Sequence, residues 1–367
     1  MRYQVDWYAP DLAPIGSLQA FESLSIVRTE NEVGALVMTL PSKGFTPDSF
    51  KAGQYLEVWR EKGGVFGLHA ETAYFVQDWE FHDKGGQDLV AVYAKDANSL
   101  LDTRIVADPP GGTRAELESF ADNMMKAIVR NELMDAHGTS PERIIPGVSV
   151  QANVGQSVSL YRGVGWQNVL SALQDLSQSA TEQGVYTVFD MVRTGVGQFE
   201  FRTYTGQRGT NHGRTSGDVR LVGKTYGNLE DPKLGTYHGE ERNYIYCGGK
   251  GEGAERTIKQ VSDPARIGQG FPWNRKELFV DARNQDTEAQ VESDAYAALG
   301  ENKPKVVLTG KLIDTPGMQY GRDYGFGDVV SVEAYGATID CHVKSVAINY
   351  AAEGGETIDI SLRGERE

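Results

Sequence analysis

The chain has 367 residues, with 36 Lys and Arg against 51 Asp and Glu, a formal charge of −15. That balance argues against a surface built to grip duplex DNA, which relies on basic side chains neutralising phosphates. No apolar stretch follows Met1-Arg2-Tyr3 and no window reaches a membrane span, while Cys247 and Cys341 are too few for a disulfide framework or a zinc site. The length predicts two or three domains. Glycine, 43 residues, exceeds its usual share of about 7% without any repeat period, as suits a strand-rich chain with many turns and bulges.

Residues 1–107 read as a first β module. Leu24 and Ile26 alternate with polar neighbours, Tyr55–Arg60 is a strand, and Tyr74, Val76, Trp79 and Phe81 form another. The apolar phase of that strand slips at Gln77-Asp78, which predicts a β-bulge. A short helix over Asp96–Asp102 ends the module.

Asp108-Pro109-Pro110-Gly111-Gly112 is the clearest linker and opens an α+β module over residues 108–204. Thr113-Arg114-Ala115-Glu116 reads as a capping box, and Leu117, Phe120, Ala121, Met124 and Ile128 follow helical spacing to about Leu133. A second helix is predicted from Gly165, with Trp166, Val169, Leu170, Leu173 and Leu176 on one face and Gly184 as its stop. Strands Val185–Met191 and Gln198–Tyr204 follow as a hairpin for the helices to cover.

A second β module is expected from residues 205–254 and 301–367, interrupted by an insertion, 255–300, with one helix from Thr287 to Leu299. In the final meander Val330, Val332 and Ala334 share a face, then Ile339, Cys341 and Val343. The phase slips at Lys344-Ser345, a second predicted bulge, before Val346, Ile348 and Tyr350. Ile358, Ile360 and Leu362 complete it after the turn Glu353-Gly354-Gly355.

No motif for chemistry stands out. Gly248, Gly249, Gly251 and Gly253 alternate ahead of an extended segment, whereas a dinucleotide fingerprint needs its glycines at a helix start. They are expected as structural turn glycines, as are Gly327 and Asp328. Gly223-Lys224-Thr225 lacks the upstream glycine spacing and the helix of a phosphate loop. The six histidines show no paired metal spacing and no G-x-S-x-G occurs, so no catalytic residue, cofactor or metal site is assigned. Trp59, Trp79, Trp166 and Trp273 are expected as core or interface anchors.

The order of Ser99–Val106, Arg162-Gly163, Gly248–Arg256, Glu277–Arg283 and Tyr320…Gly327-Asp328-Val329 resembles the tail-tip or baseplate hub family of long-tailed bacteriophages, the siphophages. The resemblance implies a mainly β fold with two similar β-barrel domains plus a helical α+β domain. It implies a non-enzymatic homotrimer in the virion tail, assembled in the host cytoplasm, with a distal tail protein ring above and a separate fibre or tip protein below. The tape-measure protein would occupy its lumen, and DNA would pass without specific binding, away from any membrane. Because the chain stops at Glu367, lytic or adhesive activity is expected in another protein. The alternative is a carbohydrate-active tail protein, a depolymerase or glycan-binding module.

Overall fold

The computed structural model describes residues 3–62, 65–68, 71–107, 115–135, 141–270, 272–285, 287–313 and 315–364. The N-terminal module holds β1 (Tyr3–Tyr8), β2 (Pro14–Leu18), β3 (Ser23–Thr29), β4 (Ala35–Pro41), β5 (Tyr55–Lys62), β6 (Val65–Leu68), β7 (Tyr74–Lys84) and β8 (Gln87–Asp96). A single turn of helix, α1 (Ser99–Asp102), follows. Alternation decides the faces: Leu24 and Ile26, Leu36, Met38 and Leu40, and Val90 and Val92 are all buried in one apolar cluster.

In the middle module β9 (Ala115–Phe120) precedes α2 (Ala121–Val129), then β10 (Val148–Val150), β11 (Ser159–Val164), α3 (Val169–Glu182), β12 (Thr187–Gly195) and β13 (Gln198–Thr205). The helix expected from Leu117 starts only at Ala121. Residues 115–120 are extended because β11 takes their backbone groups, from Val164↔Ala115 to Ser159↔Phe120. Thr113 and Arg114 of the expected capping box, and the linker 108–112, lie outside the described residues. α3 begins later than expected, capped by Asn168, whose side chain accepts from Ser171 N at 3.2 Å. Trp166 therefore precedes the helix, with a φ of 58° and 65% exposure, and is no core anchor. As expected, both helices cover the hairpin: Met124, Ile128, Leu173 and Leu176 share a core with Phe189, Met191, Phe199 and Phe201.

Next come β14 (Asn211–His212), β15 (Leu221–Gly223) and β16 (Leu229–Tyr237). β17 (Tyr244–Gly248), expected with the second β module, instead pairs with β18 (Ile258–Ser262) and β19 (Glu277–Asp281) in a separate three-stranded sheet. This sheet carries α4 (Pro264–Gly268) and α5 (Glu288–Glu301), and α5 buries Val291 and Ala295 against Ile245 and Cys247. The start of α5 is set by a capping box between Thr287 and Gln290. The chain ends with β20 (Lys305–Leu312), β21 (Val329–Ala334), β22 (Ala337–Ala351) and β23 (Gly355–Gly364).

Both predicted bulges are present, between Val76 and Asp78 of β7 and between Val343 and Ser345 of β22. The bulge lets β22 change partner: Ala337–His342 pairs with β21, and Ser345–Ala351 pairs with β3. That last pairing joins the N- and C-terminal modules into one fifteen-stranded sheet, ordered β16-β20-β23-β22-β3-β4-β8-β7-β5-β1-β2 along its main path. Among the described residues neither half closes into a ring of strands.

The two halves repeat one topology. In the first, β3, β4, β5, β7 and β8 lie in the order β3-β4-β8-β7-β5; in the second, β16, β20, β21, β22 and β23 lie in the order β16-β20-β23-β22-β21. Each half makes its connections in the same sequence and carries a bulge in its fourth strand, and the second half has a further register shift between Glu230 and Lys233 of β16.

Candidate functional site: the turn and ion cluster where the modules meet

The turn Gly325-Phe326-Gly327-Asp328 leads into β21. Gly327 adopts a φ of 84°, in the left-handed region, and a Cβ there would meet Arg208 Cβ at 2.7 Å. The Asp328 carboxylate closes the turn, accepting from Gly325 N and Thr210 N at 2.6 Å each. Gly209 N donates to Gly327 O at 2.9 Å, so the segment leaving the α+β module is fastened to the turn.

This turn aims Phe326 at two guanidinium groups. Arg28 of β3 lies 4.5 Å and Arg208 5.2 Å from the ring centroid. Both arginines donate to Asp190 of β12, Arg208 through Nη2 at 2.7 Å and Nε at 3.1 Å. Burial pushes the Asp190 carboxyl up, but the two arginines together hold it below its ordinary range. Beside them, burial raises Asp96 to about 7, Arg28 opposing and Asp190 adding to the rise. Glu30, also raised by burial, accepts from Tyr186 OH. β3, β12 and the Gly327 turn belong to three different modules, and this cluster ties them.

A second tie joins the two repeats. Arg60 of β5 donates to Glu356 of β23 from Nε at 2.8 Å and to Tyr320 O from Nη1 at 3.0 Å, and Tyr3 OH donates to the same carboxylate. Arg60, Glu356 and Tyr3 are paired with one another, as Arg28 and Arg208 are with Asp190, and these buried pairs hold a geometry.

The other predicted turn lies in the small sheet and does not join this cluster. Gly251 and Gly253 have φ of 107° and 54°, and a Cβ on Gly248 would stand 2.8 Å from Arg256 and Phe279. Arg256 clamps the segment, donating to Gly248 O and Gly249 O at 3.0 Å each, and pairs with Asp281. On the same outer face Arg275 stacks on Tyr244 at 3.7 Å and Arg256 on Phe279 at 5.2 Å. Trp273 is 88% exposed rather than a core anchor. A cavity of about 270 Å³ between α3 and α5 is lined by Arg162, Asp175, Gln178, Ser179 and Glu301. His69 and His137 lie outside the described residues; among the described ones no group of three His, Cys, Asp or Glu converges as metal ligands. No described helix is long and apolar enough to cross a membrane.

Arg28, Asp190 and Arg208 carried no signal in the sequence, since Arg28 and Asp190 stand 162 residues apart. Only the Gly327-Asp328 turn marked the place from the sequence alone.

Among curated proteins no sequence matches the chain. Among solved structures, its fold is similar to the 43 kDa tail protein of prophage MuSo2 from Shewanella oneidensis, with a TM-score of 0.63 at 13% identity over 99% of this chain and 98% of that one. It is similar to a tail protein from Neisseria meningitidis MC58, with a TM-score of 0.62, 13% identity and coverage of 99% and 97%. Prophage tail protein gp18 from Listeria monocytogenes EGD-e gives 0.55 at 11% identity, over 98% and 94%. A family model described as Siphovirus ReqiPepy6 Gp37-like protein matches residues 5–362, and this nearly complete span places the chain in that family.

Proposed function

We propose that this chain is a structural component of a phage tail, the hub of a tail tip or baseplate. The observation that carries the reading is the family match over residues 5–362. The similar fold of three prophage tail proteins supports it. Three chains form a ring that joins the six-fold tail tube to the distal tip and surrounds the channel for tape-measure protein and DNA. The repeated strand order supports this arithmetic: two repeats of one topology per chain give six around a trimer. A distal tail protein ring sits above and a separate fibre or tip protein below.

The chain acts without catalysis. Its buried charges are paired to fix modules against each other, and its excess of acid, 51 against 36 basic residues, faces the channel so that phosphates slide past. A glycan platform is less favoured, because the rings of half-buried Tyr244 and exposed Phe279 already carry Arg275 and Arg256. The test is a density map of an assembled tail carrying this protein. Three copies in one ring with an acidic lumen are expected. One or six copies per ring, a lumen lined by Lys and Arg, or absence from the particle overturns the reading.

A further inference from the structure

The two repeats use their edges differently. The first repeat receives a neighbour on the open side of β3, where Ser345–Ala351 of β22 pairs with it. In the second repeat β16 holds the place of β3, but its open side has no strand partner among the described residues. Likewise β7 holds the place of β22, yet beyond its bulge, from Asp78 to Lys84, β8 is its only strand partner among the described residues. Each chain therefore uses one β22–β3 joint internally and leaves the two halves of a second, equivalent joint unused.

We infer that a second copy of this chain completes that joint, with β7 of one protomer pairing antiparallel to β16 of the next. The inference deepens the ring reading above and rests on it only for the number of copies at closure. An edge strand of unpaired backbone groups is a ready template for another strand. A joint between different edges is heterologous, so repetition continues past a dimer and closes into a ring where its rotation returns to the first copy, as the ring reading above requires.

The repeat fixes the register. Val76 pairs with Ala94 just before one bulge, and Val343 pairs with Leu362 just before the other. Across the next strand Ala94 meets Leu36 and Leu362 meets Leu308. Across one more, Leu36 meets Ile26 and Leu308 meets Leu234, so Ile26 and Leu234 are equivalent. Within the chain Ile348 faces Ile26 and Ser345 faces Thr29. Between chains, Phe81 then faces Leu234 and Asp78 faces Tyr237.

The side chains suit this. Phe81 is 36% and Tyr237 62% exposed, and the pairing covers both. Phe81 against Leu234 repeats the apolar pair Ile348 against Ile26. Glu80 falls diagonally across from Lys233, within reach of an opposite-charge contact.

Ser345 Oγ and Thr29 Oγ1 lie 3.0 Å apart, so the equivalent positions on the joint suit a disulfide. The test is Asp78→Cys with Tyr237→Cys in the full chain at several hundred micromolar, oxidised and run on a non-reducing gel. Ser345→Cys with Thr29→Cys, linked within one chain, is the positive control for geometry and folding. A covalent ladder ending in a closed species is expected, with dimers only when the two single variants are mixed. The off-register pair Asp78→Cys with Lys233→Cys is expected to link at least tenfold less. Monomers alone, or equal linking off register, overturn the inference. A three-copy ring in the tail held by other contacts overturns it and leaves the proposed function standing. In-register linking by a chain absent from the tail does the reverse.

Discussion

Gly53 and Gly327 occupy the same place in two copies of one turn. Gly53 N donates to Val76 O at 2.8 Å and Val76 N to Gln54 O at 2.9 Å; Gly327 N donates to Val343 O at 2.9 Å and Val343 N to Asp328 O at 2.8 Å. Their φ angles are 81° and 84°. Even the side-chain closure is shared: Lys51 N donates to Gln54 Oε1 at 3.0 Å, as Gly325 N does to the Asp328 carboxylate.

The two turns differ in their surroundings, which separates two contributions to stability. A Cβ on Gly53 would meet nothing within 4 Å, whereas on Gly327 it would meet Arg208 at 2.7 Å. Gly53→Ala is expected to cost about 1–2 kcal/mol through backbone strain alone. Gly327→Ala is expected to cost at least about 1 kcal/mol more, because Arg208 must shift off Asp190. Urea unfolding of both variants checks the difference, and equal losses would show that Arg208 is not held by the ion cluster.

Removing the acid at the centre of the cluster leaves two guanidinium groups buried without it. Asp190→Ala is expected to destabilise the fold by about 3–5 kcal/mol, with little dependence on salt because the pair is shielded from solvent. Unfolding curves at low and high salt measure both. A loss under about 1 kcal/mol would mean that Arg28 and Arg208 find other partners.

Asp96 gives the pH dependence a sign. Its folded pKa, about 7, lies above the ordinary value of 3.8, so its protonated form is favoured in the fold. The contribution is fully present below about pH 4 and is lost as pH rises through 7. Asp96→Asn removes that loss, so relative to the wild type it gains stability at pH 8 and not at pH 4, on the order of 1 kcal/mol or more. Melting temperatures at the two pH values decide it; the same shift at both would show that packing, and not charge, dominates.

Both thiols are buried, and burial raises Cys247 to about 11 and Cys341 to about 12. At pH 8 almost no thiolate is present, so a disulfide reagent should label the native chain at least tenfold more slowly than the urea-unfolded one. Fast labelling of the native protein would place one of them at an opening segment.

The periodic part of this protein was legible from the sequence. The phase slips at Gln77-Asp78 and Lys344-Ser345 located both bulges, because a strand of period two can change phase only by gaining a residue. The helix expected from Thr287 starts there as α5, and Gly327 with Asp328 marked a turn. These are local features, set within a few residues. Tertiary structure alone decided which edges meet. Leu117 and Phe120 fit a helix by spacing but are extended, since β11 competes for their backbone groups from about forty residues away. Tyr244–Gly248 reads as any short strand, and only its partners assign it to the small sheet. The pairing of Ser345–Ala351 with Ser23–Thr29, and the Arg28–Asp190–Arg208 cluster beneath it, join segments far apart in the chain. Propensity and pattern act over one or two turns of backbone, whereas strand partners and buried ion pairs are chosen by the free energy of the assembled fold.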